Sequence, residues 1–220
     1  MVKKLTGGVK QTVKSYGAEL IEKEAVITGE DNGLIQILAG GEKYEVTYLL
    51  VCTDSDTVIP PIKGLSEIDY WTSKEALEMA ALPKSLAIIG GGVIGMEFAS
   101  FFTSLGVQVT VVEMLDEILG GMDKELSAML RAEYAKKGIK FLLSTKVVGV
   151  SKEETGITVS YENADGTGTV TADKLLMSVG RRPVTKGFGL ENLNLEWTER
   201  RCIKVDEHFA IFCPRCLCMR

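Results

Sequence analysis

No apolar run in this chain reaches the roughly 18 residues that can span a bilayer, so no membrane-spanning helix is expected. The opening residues MVKKLTGGVK lack the apolar core of a signal peptide, and a cytoplasmic setting is the expectation. A basic excess is missing too. The 25 Lys and Arg stand against 30 Asp and Glu, for a net charge of -5. The basic residues are scattered, so nucleic acid is not an expected partner. Five cysteines do not make a disulfide framework in 220 residues. Cys52 lies in an apolar run and reads as a small core residue, while Cys213, Cys216 and Cys218 crowd the final residues. Cys213-x-x-Cys216 invites a redox or zinc reading, yet a structural zinc takes four ligands. Cys218 and the distant His208 make an improvised set with no second C-x-x-C, and no metal site is assigned. His208 is the single histidine; with no acid or thiol partner legible beside it, no catalytic role is given to it.

What the chain does have is concentrated in Ser85 to Glu113, SLAIIGGGVIGMEFASFFTSLGVQVTVVE. Leu86 to Ile89 is a continuous apolar run, suited to a strand buried on both faces of a parallel sheet. Gly90, Gly92 and Gly95 then form G-x-G-x-x-G: the first permits a tight turn, the second lets a pyrophosphate approach the backbone, and the third lets helix and strand pack closely. Ile94, Phe98, Phe101, Phe102 and Leu105 predict one apolar helix face, and Gly106 stops the helix. A second strand, Val107 to Val112, leads to Glu113, a carboxylate placed to accept hydrogen bonds from a ribose diol. Its charge would repel a 2′-phosphate, and Met114 and Leu115 bring no positive charge, so NAD is favoured over NADP. A lone glycine motif is more often a plain loop; strand, turn, helix, strand and acid in this order make the dinucleotide reading specific.

Around this unit the pattern predicts a helix over residues 2 to 16, with Val9, Val13 and Tyr16 on one side. Strand-like runs follow at Ala18 to Thr28, Leu34 to Leu38 and Tyr44 to Thr53, separated by the turn signals Glu30-Asp31-Asn32-Gly33 and Gly40-Gly41: a β-meander. Pro60-Pro61 breaks regular structure and marks a domain boundary. Thr72 with Glu75 is a capping box for a helix over Lys74 to Ala81. Asp123 caps a helix to Lys137 with Leu126, Met129, Leu130 and Tyr134 inward. Ile139 to Leu143, Val147 to Ser151, Gly156 to Tyr161 and Thr169 to Val179 read as strands, as does the short alternation Cys202 to Val205. The fold class is α/β: a parallel sheet with an antiparallel β excursion on one side. The Phe101-Phe102 pair reads as core packing, and the exposed pair Arg181-Arg182 as a solvated rim that could touch a phosphate.

With the glycine turn, Glu113 and the run SVGRRP in place, the chain resembles the flavin-dependent pyridine nucleotide-disulfide oxidoreductases, most closely their dihydrolipoyl dehydrogenase branch. The resemblance covers about Leu5 to Phe209 and is most specific over Pro83 to Glu113 and Leu175 to Leu195. It implies a Rossmann-like NAD-binding domain, residues 63–182, inserted in a partial FAD-binding domain formed by 1–62 and 183–209, with an aberrant tail at 210–220. By resemblance, Gly90-Gly91-Gly92-Val93-Ile94-Gly95-Met96-Glu97 would cradle the NAD pyrophosphate, with Glu97 near the nicotinamide end. Glu113 would hold the adenosine ribose, Val147 would border the adenine, and Gly180 would lie near the nicotinamide. Thr53 and Ser55 stand where the family's A-T-G-S turn meets FAD, but Asp54 replaces its glycine and would bring a charge toward an anion.

The implied activity is oxidation of a protein-bound dihydrolipoyl group, with electrons passing through a redox cysteine pair and FAD to NAD. The implied partners are NAD(H), lipoyl domains of 2-oxoacid dehydrogenase or glycine cleavage complexes, and a homodimer mate. The spacing C-x4-C occurs only in the tail, at Cys213 and Cys218, and not ahead of the glycine turn where the resemblance implies the redox pair; the family's first FAD glycine motif and its His-Glu pair do not occur either. A truncated or frame-shifted product is therefore expected, binding NAD(H) weakly at best and without dihydrolipoyl dehydrogenase turnover, and no catalytic residue is assigned. Two alternatives stand beside it: a sister NADH-dependent disulfide, peroxide or mercuric reductase, and a non-catalytic NAD-binding module.

Overall fold

A computed structural model describes residues 1–199, 202–211 and 216–218, so Cys213 and most of the expected aberrant tail lie outside the described residues. The chain divides into two units, Met1–Asp54 with Pro183–Arg220, and Ser55–Arg182. No helix among the described residues is long and apolar enough to cross a membrane.

In the first unit α1 (Val2–Ser15) forms as the pattern predicts, but it buries no residue. Val9 and Tyr16 are exposed and only Val13 is partly covered. The meander β1 (Ala25–Asp31), β2 (Leu34–Ala39) and β3 (Glu42–Val46) is antiparallel in that order. Its hairpins turn through Asn32-Gly33, φ 50° and 76°, and Gly40-Gly41, φ 60° and 90°. Consecutive left-handed residues of this kind match the twist of the flanking strands. Two expected runs change. The first is a strand only from Ala25, and the third breaks at Thr47-Tyr48, after which β4 (Leu49–Val51) leaves the meander. Val51 packs with Ile27, Ile35, Leu190 and Leu193, so the core position falls on Val51. Cys52 lies past the strand end and is exposed rather than core.

The second unit opens with β5 (Ser55–Thr57). α2 (Ser73–Leu77) carries the expected capping box: the Glu75 carboxylate accepts from Thr72 N at 2.8 Å and the Thr72 hydroxyl accepts from Lys74 N at 3.3 Å. It is shorter than Lys74 to Ala81. Next come β6 (Ser85–Ile89), α3 (Val93–Ser104), β7 (Gln108–Val112), α4 (Lys124–Lys136) and β8 (Lys140–Leu142). The antiparallel β9 (Lys146–Glu153), β10 (Gly156–Asn163) and β11 (Gly166–Ala172) follow, then β12 (Lys174–Met177) and β13 (Arg181–Pro183). The parallel sheet has the order β12-β6-β7-β8 and the excursion the order β11-β10-β9.

The expected strand Thr169 to Val179 is two strands in two sheets. At the break, the Asp173 carboxylate accepts from Lys84 N at 2.7 Å and Ser85 N at 3.2 Å, while Asp173 N donates to the Ser85 hydroxyl at 3.0 Å. That clasp turns the chain out of the antiparallel excursion and starts β12 level with β6. β5 pairs with β13, so the second unit begins at Ser55, ahead of the Pro60-Pro61 break. The short alternation Cys202 to Val205 forms only isolated bridges, Trp197 to Ile203 and Val205 to Ile211. In the first unit a last strand, β14 (Cys216–Cys218), pairs in parallel with β4.

Alternation along β6 builds the layers. Leu86 and Ile88 join one core with Met96, Ala99 and Phe102 of α3; Ala87 and Ile89 join the other with Val150, Ile157 and Val159 of the antiparallel sheet. Helices, parallel sheet and antiparallel sheet thus stack, and each large apolar side chain so buried contributes about 1.5–3 kcal/mol. The helix faces depart from the expected ones. In α3 the buried set is Gly95, Met96, Ala99 and Phe102, while Phe101 and Leu105 are each 48% exposed. Phe102 alone of the Phe101-Phe102 pair is core, ringed by Trp71, Phe98 and Phe101 at centroid distances of 5.2 to 6.1 Å. In α4, Leu130 and Tyr134 pack inward and Ser127 is buried, but Leu126 and Met129 are exposed.

Candidate functional site

The site grows from the end of β6. The sheet order sets β7 on one side of β6 and β12 on the other, and a crevice opens past the carboxyl ends of such strands. A cleft of about 680 Å³ lies there, lined by residues of the second unit only. Gly90, at φ 104°, turns the chain sharply: its N–H donates to Val112 O at 2.9 Å. A Cβ at Gly90 would stand 2.3 Å from Ser178 O, so the turn is pressed against the end of β12. Gly95 serves the close packing the motif demands, since a Cβ there would stand 2.2 Å from Gly90 O. Gly92 differs from both. Its φ is -72°, and no atom lies within 4 Å of where its Cβ would be. Glycine at 92 is thus required neither by its backbone angles nor by any neighbour among the described residues. What it leaves is room, directly in front of the first turn of α3, which has no side-chain cap on its N–H groups. Uncapped N–H groups at a helix start suit an anion.

Glu113 closes one end of the cleft. It follows β7, and its carboxylate accepts from Gly91 N at 2.5 Å through Oε2 and from Leu115 N at 2.8 Å through Oε1. Both oxygens are thereby oriented, and each retains a lone pair for a further donor. Gly91 holds its place for the same reason, since a Cβ at 91 would meet Glu113 Oε2 at 3.1 Å and Ile118 at 3.2 Å. The loop after Glu113 is pinned by a forked pair. Arg131 Nε and Nη2 donate to Glu117 at 2.8 and 2.9 Å, and the guanidinium holds the Glu117 carboxyl below the usual carboxylate range.

Of the residues named from the sequence, Gly90, Gly92, Val93, Ile94, Glu113, Val147 and Gly180 all line this one cleft. Gly91 and Gly95 stand behind its wall in the supporting roles just described. Met96 is buried in the core at 2% exposure. Glu97 lies on the exposed side of α3, outside the lining. Ser55 belongs to the second unit, where its hydroxyl accepts from Arg181 Nε at 2.8 Å, and Arg181 Nη2 also donates to Ser55 O. Thr53 belongs to the first unit, where its hydroxyl donates to Val184 O at 2.8 Å. Asp54 has φ 60°, the left-handed conformation a glycine would adopt freely.

The cleft also has walls the sequence reading missed. Thr145 and Lys146 reach it because Thr145 N donates to Glu113 O at 2.9 Å. Met177, Ser178 and Val179 reach it from the end of β12. The signal for the latter was the register of a parallel neighbour: β12 pairs Met177 with Ile89, so the residues after each must meet at the turn. The arrangement can take an elongated molecule with an anionic middle at Gly92 and a diol toward Glu113.

The chain is similar to known proteins in sequence and in fold. The family model of pyridine nucleotide-disulphide oxidoreductases matches residues 1–215. The dihydrolipoyl dehydrogenase of Geobacillus stearothermophilus is 35% identical over 217 residues, covering 97% of this chain and 45% of that protein. The mitochondrial dihydrolipoyl dehydrogenase of Caenorhabditis elegans is 38% identical over 217 residues, covering 97% and 44%. The solved structure of the HOCl-induced flavoprotein disulfide reductase RclA from Escherichia coli superposes with a TM-score of 0.81 at 27% identity, covering 91% and 45%. The chain therefore spans less than half the length of the curated relatives it matches.

Proposed function

The chain belongs to the pyridine nucleotide-disulphide oxidoreductase family, and from that membership we propose that residues 55–182 are the NAD(H) site of a dihydrolipoyl dehydrogenase. The observation that carries the reading is Gly92, a glycine with no neighbour among the described residues to explain it, in the same cleft as Glu113. NAD fits these residues. The N–H groups of the first turn of α3 would hold the pyrophosphate, Glu113 would accept from the adenosine ribose, Val147 would border the adenine, and Gly180 would border the nicotinamide end. The fixed carboxylate of Glu113 would exclude a 2′-phosphate, giving NAD over NADP. NAD, when bound, supplies the hydride acceptor, while the protein orients it and limits its contact with water.

FAD fits less well. The Thr53 hydroxyl is already committed to Val184 O, and Asp54 adds a carboxylate where the ligand would bring phosphate. The redox cysteine pair of the parent reaction has no C-x4-C counterpart ahead of the glycine turn. The contribution of this chain is therefore the NAD end of a reaction that oxidises dihydrolipoyl groups. Lipoyl domains of 2-oxoacid dehydrogenase or glycine cleavage complexes, and a second copy of the parent enzyme, are the partners this reading implies, in a cytoplasmic setting. The likeness to RclA supports a second reading, an NADH-dependent disulfide reductase with the same nucleotide site.

Titration of the chain with NADH and NADPH, followed by quenching of protein fluorescence, tests the proposal. Saturable NADH binding, with NADPH at least about tenfold weaker, is the expected result. Equal affinity for the two, or no saturation by either, defeats it.

A further inference from the structure

Ser178 lines the cleft beside the glycine turn and is 8% exposed, yet its hydroxyl is shielded from solvent and has no hydrogen-bond partner among the described residues. Everything else about the residue is satisfied: its N–H donates to Ile89 O at 2.8 Å and its carbonyl packs on Gly90. A buried hydroxyl without a partner costs about 1–3 kcal/mol, so one that persists calls for an explanation. Thr103 and Ser127 also carry such hydroxyls, but neither lines the cleft.

The position of Ser178 suggests its use. It follows β12, the neighbour of β6 on the side away from β7 and Glu113. Its Oγ stands 3.2 Å from where a Cβ on Gly95 would be, so it sits under the first turn of α3, at the junction of the glycine turn and the far half of the cleft. Resting on the NAD(H) reading above, we propose that Ser178 positions the dinucleotide. On binding, its hydroxyl turns about the Cα–Cβ bond toward the cleft and donates to an oxygen of the pyrophosphate on the nicotinamide side. Bound pyrophosphate would give the donor its acceptor.

Ser178→Ala tests this in the full chain with two probes and one stability measurement. NADH affinity is expected to fall about tenfold, the effect of one lost hydrogen bond to a charged acceptor. AMP, which carries only the adenosine half, should bind both forms alike. The ligand-free variant should melt no lower than the parent chain, because an unpartnered hydroxyl has been removed. Equal NADH affinity in the two forms overturns the inference while leaving the NAD(H) reading intact. A lower ligand-free melting temperature also overturns it, since it would reveal an internal partner. Absence of NADH and AMP binding by the unchanged chain overturns both readings.

Discussion

Two alanine substitutions three residues apart should fail in opposite ways. A Cβ at Gly95 would stand 2.2 Å from Gly90 O; ordinary contact is about 3.5 Å, so α3 and the turn must separate by about 1.3 Å. Forcing apart a packed helix–strand contact of this kind costs about 1–3 kcal/mol, which for a chain of this size lowers the melting temperature by roughly 3–10 °C. At Gly92 the same Cβ meets nothing, and φ is -72°. Two small terms then oppose each other. Alanine is a poorer N-cap than glycine by about 0.5–1 kcal/mol, and it reduces the entropy of the unfolded chain by about 0.4–1 kcal/mol. Gly92→Ala should therefore melt within a degree or two of the parent, yet lose at least about tenfold in NADH affinity, because the methyl occupies the approach of the pyrophosphate. Differential scanning calorimetry and fluorescence titration on the same samples read both quantities. Gly92→Ala with unchanged NADH affinity would refute the role given to the open space, and Gly95→Ala with an unchanged melting temperature would refute the packing argument.

Three further outcomes follow from the geometry. Glu113→Gln can accept from only one of Gly91 N and Leu115 N, since its amide nitrogen faces the other donor; NADH should weaken about tenfold while the preference over NADPH narrows, read as the ratio of the two dissociation constants. Phe102→Ala should destabilise by about 3–5 kcal/mol and Phe101→Ala by under about 1 kcal/mol in urea unfolding, because only Phe102 is enclosed. The Glu117 carboxyl is held low by the Arg131 hydrogen bonds, so its contribution is full above the unfolded glutamate value of about 4.3 and is lost as pH falls through the lower folded value. Melting temperatures measured from pH 6 to pH 3 should accordingly fall less steeply in Glu117→Gln than in the parent, and parallel slopes would contradict the assignment.

Much of the site was legible in the sequence because it is contiguous. Strand, three glycines, helix, strand and Glu113 follow each other within one βαβ unit, and each glycine has a separate physical duty. The Thr72-Glu75 capping box, the Asp123 cap and the hairpin turns at Asn32-Gly33 and Gly40-Gly41 were legible because their determinants are local. The phase of α3 was misjudged because apolar residues were counted without asking which side must touch the sheet. Gly95 has to face β6, and Ala99 and Phe102 at i+4 and i+7 follow it inward; Phe101 cannot. The break at Asp173 was hidden because its cause is a carboxylate bonded to Lys84 N and Ser85 N, far away in sequence. Thr145 and Ser178 stayed invisible for a similar reason. They reach the cleft only through the order of the parallel strands.

The most direct measurement is the crystal structure of the chain grown with NAD. The account predicts density for the pyrophosphate over the Gly92 and Val93 N–H groups and for the adenosine ribose within hydrogen-bond distance of both Glu113 oxygens or one of them. A dinucleotide bound elsewhere, with Gly92 and Glu113 both uncontacted, would contradict it.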